Sequence, residues 1–175
     1  MKEFLTCCFI GHRKIKYSLD LEERLTKLIE DLIISFNVGV FLFGSRSQFN
    51  DLCYNVVTGL MKKYPHIKRI YVRAEYNYDD KTMSYMLDKY EQTYFPKQII
   101  NAGRYSYVER NQIMINQSEF CVFYYDKGYN ISNSGTKISL DYAIKRNKKI
   151  FNVNEEWFIL IKLNIPITLV VFVMS

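Results

Sequence analysis

The sequence predicts an α/β fold, a three-layer domain with a mainly parallel sheet and helices on both faces. Two observations carry that prediction. Short runs that are apolar on both faces alternate with segments of helical periodicity, the pattern of buried parallel strands joined by helices. In addition, three glycine-marked corners, Gly11-His12-Arg13, Gly44-Ser45-Arg46 and Ser134-Gly135-Thr136, each follow a run that reads as a buried strand. Two of those corners also open a helix-like segment, which is how an open sheet builds a site for a phosphate or a nucleotide.

The elements follow in order. Phe4 to Ile10 is an apolar run ended by Gly11, and Leu19 to Ile34 places Leu21, Leu25, Leu28, Ile29 and Leu32 on one helical face. Val38 to Phe43 is a short apolar strand ended by Gly44, and Gln48 to Tyr64 is a helix with Leu52, Val56, Val57, Leu60 and Met61 inward. Ile67 to Val72 reads as the third strand. Asp79-Asp80 and several tyrosines then mark a polar excursion before a helix near Met83 to Thr93. Ile99-Ile100 is expected to be a short strand, Val108 to Asn116 a helix and Phe120 to Tyr125 a strongly apolar strand. Gly135 to Arg146 is expected to be helical and Lys149 to Val153 a last core strand. This order is Rossmann-like.

Composition narrows the class. The chain has 175 residues, 49% hydrophobic and 16% aromatic, enough for one domain with a full core. Fifteen tyrosines and twelve phenylalanines against three prolines and seven glycines exclude a low-complexity chain. The net charge of +6 is spread out, and Lys62-Lys63, Lys145-Arg146 and Lys148-Lys149 fall at helix ends, where cations complement the C-terminal carbonyls. A small phosphorylated ligand therefore suits the charge better than nucleic acid. Cys7, Cys8, Cys53 and Cys121 form no C-x-x-C pair and have no histidine cluster beside them, so they read as reduced core thiols and predict no metal site. Lys2 and Glu3 precede a strand leading directly into a glycine turn, unlike a secretory signal, and the protein is expected to be cytoplasmic.

Each corner offers chemistry to an anion. Gly11 gives a permissive backbone, His12 an imidazole and Arg13 a guanidinium fork at the carboxyl end of the first strand. The competing reading pairs His12 or Arg13 with Asp20 or Glu22. Gly44, Ser45 and Arg46 lie at the same edge, where Ser45 or Ser47 can cap the next helix while Arg46 faces the cleft. Ser134, Gly135 and Thr136 follow the turn-rich Asn130 to Asn133 and open a helix whose first amides and hydroxyls suit a phosphate. Glu109, Arg110 and Asn111 begin another helix, with Arg110 and Asn111 as candidate ligand contacts.

Three stretches together resemble the YpsA-like branch of the SLOG superfamily over about residues 4 to 153. They are Cys7-Cys8-Phe9-Ile10-Gly11-His12-Arg13, Glu109 to Ile115, and Ser134-Gly135-Thr136 with Asp141-Tyr142-Ala143. That Rossmann-like group also contains the LOG enzymes and the DNA-processing protein DprA. The resemblance implies binding of a nucleotide or nucleotide-derived small molecule, as a sensor or sequestering protein, with no further cofactor. It leaves two alternatives: N-glycosidic cleavage of a nucleoside monophosphate or dinucleotide, and a DprA-like nucleic-acid-binding role. It also implies a ligand role for Arg110, because its segment is similar to the LOG segment that carries a functional arginine.

Two departures qualify the resemblance. LOG phosphoribohydrolases carry a glutamate two residues after the Gly-Thr pair, whereas this chain runs Lys137, Ile138, Ser139. Glu109 is the candidate replacement catalytic group, with Asp141 and Glu75 behind it. The second departure is the segment after Asn154, because YpsA-like chains finish near this point. It divides the chain into a nucleotide-binding domain, 1–154, and an apolar extension, 155–175. Trp157 to Met174 approaches the ~20 residues of a membrane span, but Lys162, Asn164 and Pro166 interrupt it. Packing on the domain or across a homo-oligomer interface is expected instead of a membrane anchor.

Overall fold

A computed structural model describes residues 3–128 and 134–154. The turn at Asn130 to Asn133 and the apolar extension 155–175 lie outside the described residues.

Six strands, β1 (Leu5–Gly11), β2 (Val38–Phe43), β3 (Lys68–Val72), β4 (Gln92–Tyr94), β5 (Phe120–Tyr124) and β6 (Lys149–Asn152), form one sheet in the order β4-β3-β2-β1-β5-β6. Every pairing is parallel. The chain winds outward from β1 to β4 and then returns to place β5 on the other side of β1. The strand order therefore reverses between β1 and β5, and in open α/β sheets such a point leaves a crevice at the carboxyl ends of the strands. The helices are α1 (Leu19–Phe36), α2 (Gln48–Met61), α3 (Asp80–Lys89), α4 (Ser106–Asn116) and α5 (Gly135–Lys145).

Pleating divides the core between the two sheet faces. Cys7, Phe9, Phe41 and Phe43 pack with Leu25, Ile29 and Leu32 of α1 and Phe49, Cys53 and Val57 of α2. Cys8, Ile10, Leu42 and Phe123 point to the opposite face, against Met114 and Ile115 of α4 and Ala143 of α5. All four cysteines are buried free thiols, and burial raises the pKa of Cys7 and Cys53 well above the usual thiol value.

Local signals explain the helix ends. The Ser18 hydroxyl accepts from the Leu21 amide to start α1, and Asn37 ends it in the left-handed region at φ 56°. Ser47 caps α2, Asp79 caps α3 and Ser134 caps α5 in the same way. Of the basic residues at helix ends, Lys148 meets C-terminal carbonyls, while Lys63 pairs with Glu30 at 2.7 Å. Lys148 Nζ donates to the carbonyls of Asn116 and Ser118, at 3.1 and 2.7 Å, where α4 ends.

The region after β3 departs from the sequence expectation. The helix expected near Met83 to Thr93 begins earlier and ends at Lys89, and the fourth strand is Gln92–Tyr94. Ile99-Ile100 is not a strand: Lys97–Ile99 forms a 3₁₀ turn after Pro96, with Ile99 buried. Polar pairing decides the position of β4. The Glu91 carboxylate accepts from the Arg69 guanidinium at 2.6 and 3.2 Å and from the Arg69 amide at 2.6 Å. The Glu91 amide returns a bond to the Arg69 carbonyl at 3.1 Å. This two-way clamp holds the three-residue edge strand, and a strand built that way has no apolar period to detect.

Candidate functional site

At the carboxyl edge of the sheet, the turns after β1, β2 and β3 and the first turns of α4 and α5 enclose a cavity of about 680 Å³. That volume lies within the range of small-molecule sites, about 300–1,000 Å³. Gly11, His12 and Arg13 line it, as do Gly44, Ser45 and Arg46, Arg110 and Asn111, and Ser134, Gly135 and Thr136. All eleven candidate ligand-binding residues from the sequence thus face one space. Glu109 is not among the lining residues. Asp141 is not either, and its carboxylate pairs with Lys137 at 2.5 Å on the exposed side of α5. The carboxylate on the cavity wall is Glu75, which accepts a hydrogen bond from the Tyr107 hydroxyl.

One chain of hydrogen bonds connects three of the sequence motifs. Arg110 is buried, and its Nη1 donates to the Gly44 carbonyl and to the Val72 carbonyl at 3.1 Å, bridging the ends of β2 and β3. Its Nε donates to Asn111 Oδ1 at 2.9 Å, and Asn111 Nδ2 donates to Ser139 Oγ at 3.1 Å. The Ser139 hydroxyl donates in turn to the Gly135 carbonyl at 2.7 Å. Ser139 therefore joins the start of α5 to α4. Burial lowers the Arg110 pKa, the neighbouring Tyr71, Tyr78 and Tyr107 oppose that shift, and among the described residues no carboxylate pairs with the guanidinium. A buried cation of this kind favours an anion beside it.

The glycines at the first two corners serve packing. A Cβ on Gly11 would collide with the Phe49 ring, and one on Gly44 would lie 2.6 Å from Arg110 Nη1 and 2.7 Å from Met114 Sδ. The amides of Gly44 and Ser45 both donate to Asn50 Oδ1 at 3.2 Å and are thus engaged, the Ser45 hydroxyl bonds to the Ser47 hydroxyl at 2.8 Å, and the Arg46 side chain lines the cavity. Ser47, rather than Ser45, caps α2. At the third corner the Ser134 hydroxyl accepts from the Lys137 amide at 3.1 Å. By helix geometry the Gly135 and Thr136 amides have no intrahelical acceptor, and both residues line the cavity.

The remaining wall groups complete the electrostatics. Arg13 is exposed, and Asp20 and Glu22, its candidate partners, are taken by Arg24 and by the Tyr17 hydroxyl. His12 is buried, with its ring centroid 5.7 Å from that of Tyr125; burial pushes its pKa below the usual imidazole value, against the opposing pull of Asp126. Tyr78 lies between Arg46 and Arg73, whose guanidinium carbons are 5.9 and 5.8 Å from its ring centroid. Burial pushes the Tyr78 phenol up to about 12, so it stays a neutral donor. Among the described residues, the charged side chains on the wall are Arg13, Arg46 and Arg110 against the single acid Glu75.

Tyr71, Tyr78, Tyr107 and Asn50 were not singled out by sequence reasoning. Tyr71 is the next-to-last residue of the predicted strand Ile67 to Val72 and Tyr78 follows in the polar excursion beyond it, so position near a strand end was the signal that could have found them. Among the described residues no cluster of side chains suits a metal ion, and no helix is long and apolar enough to cross a membrane.

Fold and crevice define a doubly wound, all-parallel α/β protein of the Rossmann-like class with a cationic cavity at its strand-order reversal. A solved structure with a similar fold is the molybdenum cofactor carrier protein of Chlamydomonas reinhardtii, at a TM-score of 0.50 and 13% identity. The alignment covers 85% of this chain and 75% of that one. No protein-family model matches the sequence, and no curated protein matches it.

Proposed function

We propose that the protein binds a nucleotide or nucleotide-derived small molecule in the cavity at the carboxyl edge of its sheet, and acts as a sensor, carrier or sequestering protein. The observation that carries this reading is convergence. Arg13, Arg46, the buried Arg110 and the first turn of α5 meet in one cavity that holds a single acid among the described residues. Phosphate suits the guanidinium forks and the Gly135 and Thr136 amides. The phenol rings of Tyr78 and Tyr107 give a base or ribose a partly apolar wall with hydroxyl groups. The resemblance to the YpsA-like branch of the SLOG superfamily supports the nucleotide class. The neighbour's printed name, a cofactor carrier, supports holding a small molecule over converting it.

Glu75 keeps a second reading in view, cleavage of an N-glycosidic bond in a nucleoside monophosphate or dinucleotide. It is the acid that faces the cavity, and the Tyr107 hydroxyl bonds to its carboxylate. In this reading Glu75 takes the catalytic role for which the sequence suggested Glu109. Mass spectrometry of ligand released from the purified chain, followed by calorimetric titration with the same compound, tests the leading reading. A phosphorylated ligand recovered unchanged supports binding, and its base recovered with ribose phosphate supports the hydrolase.

A further inference from the structure

A second cavity of about 520 Å³ adjoins the first. It lies between α2 and α3 and is lined by Tyr54, Tyr85 and Tyr90, with Asp51, Asn55 and Lys89 among its polar groups. Ser45, Arg46 and Tyr71 line both cavities, so the two spaces meet at the turn after β2 and the end of β3. The shared wall carries the Arg46 guanidinium.

Resting on the proposed function, we infer that the ligand is of the dinucleotide class. One nucleoside unit occupies the first cavity, the second unit occupies the tyrosine-lined one, and the bridging phosphates lie along Arg46 and Ser45. The chemistry of the second cavity suits a nucleoside. Tyr54, Tyr85 and Tyr90 supply aromatic surface, and every base has a face that can stack on it. Asn55 offers both a donor and an acceptor and Asp51 an acceptor, which match the edge of a base or the hydroxyls of a ribose. Lys89 Nζ stands 4.7 Å from the Tyr85 ring centroid and 5.3 Å from that of Tyr54, which puts a cation on the wall of this cavity. Arg46 has no carboxylate partner among the described residues and is exposed at the junction, so its fork is available to bridging phosphate oxygens.

The test uses the full chain and a matched probe set: the four nucleoside monophosphates and the corresponding symmetric dinucleoside pyrophosphates, each titrated calorimetrically. The inference predicts that one dinucleotide binds at least about tenfold more tightly than its monophosphate. Tyr85→Ala should remove about that factor for the dinucleotide, the size of one lost base–aromatic stack, while the monophosphate affinity stays unchanged. Tyr85 is 53% exposed, so this variant should fold normally, and a thermal melt checks that. Equal affinity for the two probe types, or a Tyr85→Ala effect common to both, overturns the inference and leaves the proposed function standing. Failure of every probe to bind overturns both.

Discussion

The guanidinium of Arg110 donates to the carbonyl of Gly44, and the space it occupies is the space a side chain at position 44 would need. A residue on α4 thereby fixes the turn after β2, and the bond to Val72 extends the same hold to the end of β3. The arginine that most resembles a ligand contact is thus also part of the framework that shapes the cavity.

This geometry predicts coupled stability effects. Arg110→Ala should lower the unfolding free energy by about 2–4 kcal/mol, because two buried carbonyls lose their donor and a large side chain leaves a cavity. Gly44→Ala should cost about 1–3 kcal/mol through overpacking against Arg110 and Met114. The double variant should lose less than the sum, since removing Arg110 makes room for the new methyl group. Denaturant unfolding of all three checks it, and strict additivity would show that the two residues act independently.

Arg13 should separate binding from folding. It is exposed, and among the described residues its side chain makes no ion pair, so Arg13→Ala should leave the thermal melt unchanged. The same change should weaken a phosphorylated ligand by about tenfold to a hundredfold, the effect of removing a charge-assisted hydrogen bond. Parallel titrations of wild type and variant give the comparison. An unchanged affinity would take Arg13 out of the site.

Burial lowers the His12 pKa, and the direction of the shift sets the pH response. The unfolded chain takes up the His12 proton near the ordinary imidazole pKa of about 6.5, while the folded chain does so only at lower pH. Stability from this residue is therefore fully present above about pH 6.5 and falls as the pH drops toward the folded value. His12→Asn should flatten the pH dependence of unfolding in that window. A slope identical in the variant would assign the effect to other groups.

Chemistry at the cavity should follow the carboxylate that lines it. Incubation with adenosine monophosphate should release no more adenine than a heat-inactivated control, by chromatography. Release lost in Glu75→Gln but kept in Glu109→Gln would instead establish the hydrolase reading with Glu75 as its acid.

The strands made of apolar runs were legible from the sequence pattern: β2 runs from Val38 to Phe43 as its pattern indicates, and the three corners lie at the carboxyl edge of the sheet. The edge strand β4 was not legible, because Gln92–Tyr94 is held through Arg69 and Glu91 and carries no alternation of its own. The glycine corners were located correctly, but their local physics differs from the expectation. Gly11 makes room for Phe49, Gly44 makes room for Arg110, and Asn50 takes the Gly44 and Ser45 amides. Such partners lie far apart in the chain, or, like Asn50, show no periodicity, so spacing could not reveal them.

The most direct test of the central claim is native mass spectrometry of the purified full chain, with the released small molecules identified in the same experiment. The account predicts a stoichiometric, phosphate-bearing, nucleotide-derived ligand whose occupancy falls in Arg13→Ala. A chain that carries no such ligand, and binds none of the nucleoside monophosphates or dinucleoside pyrophosphates on titration, would contradict it.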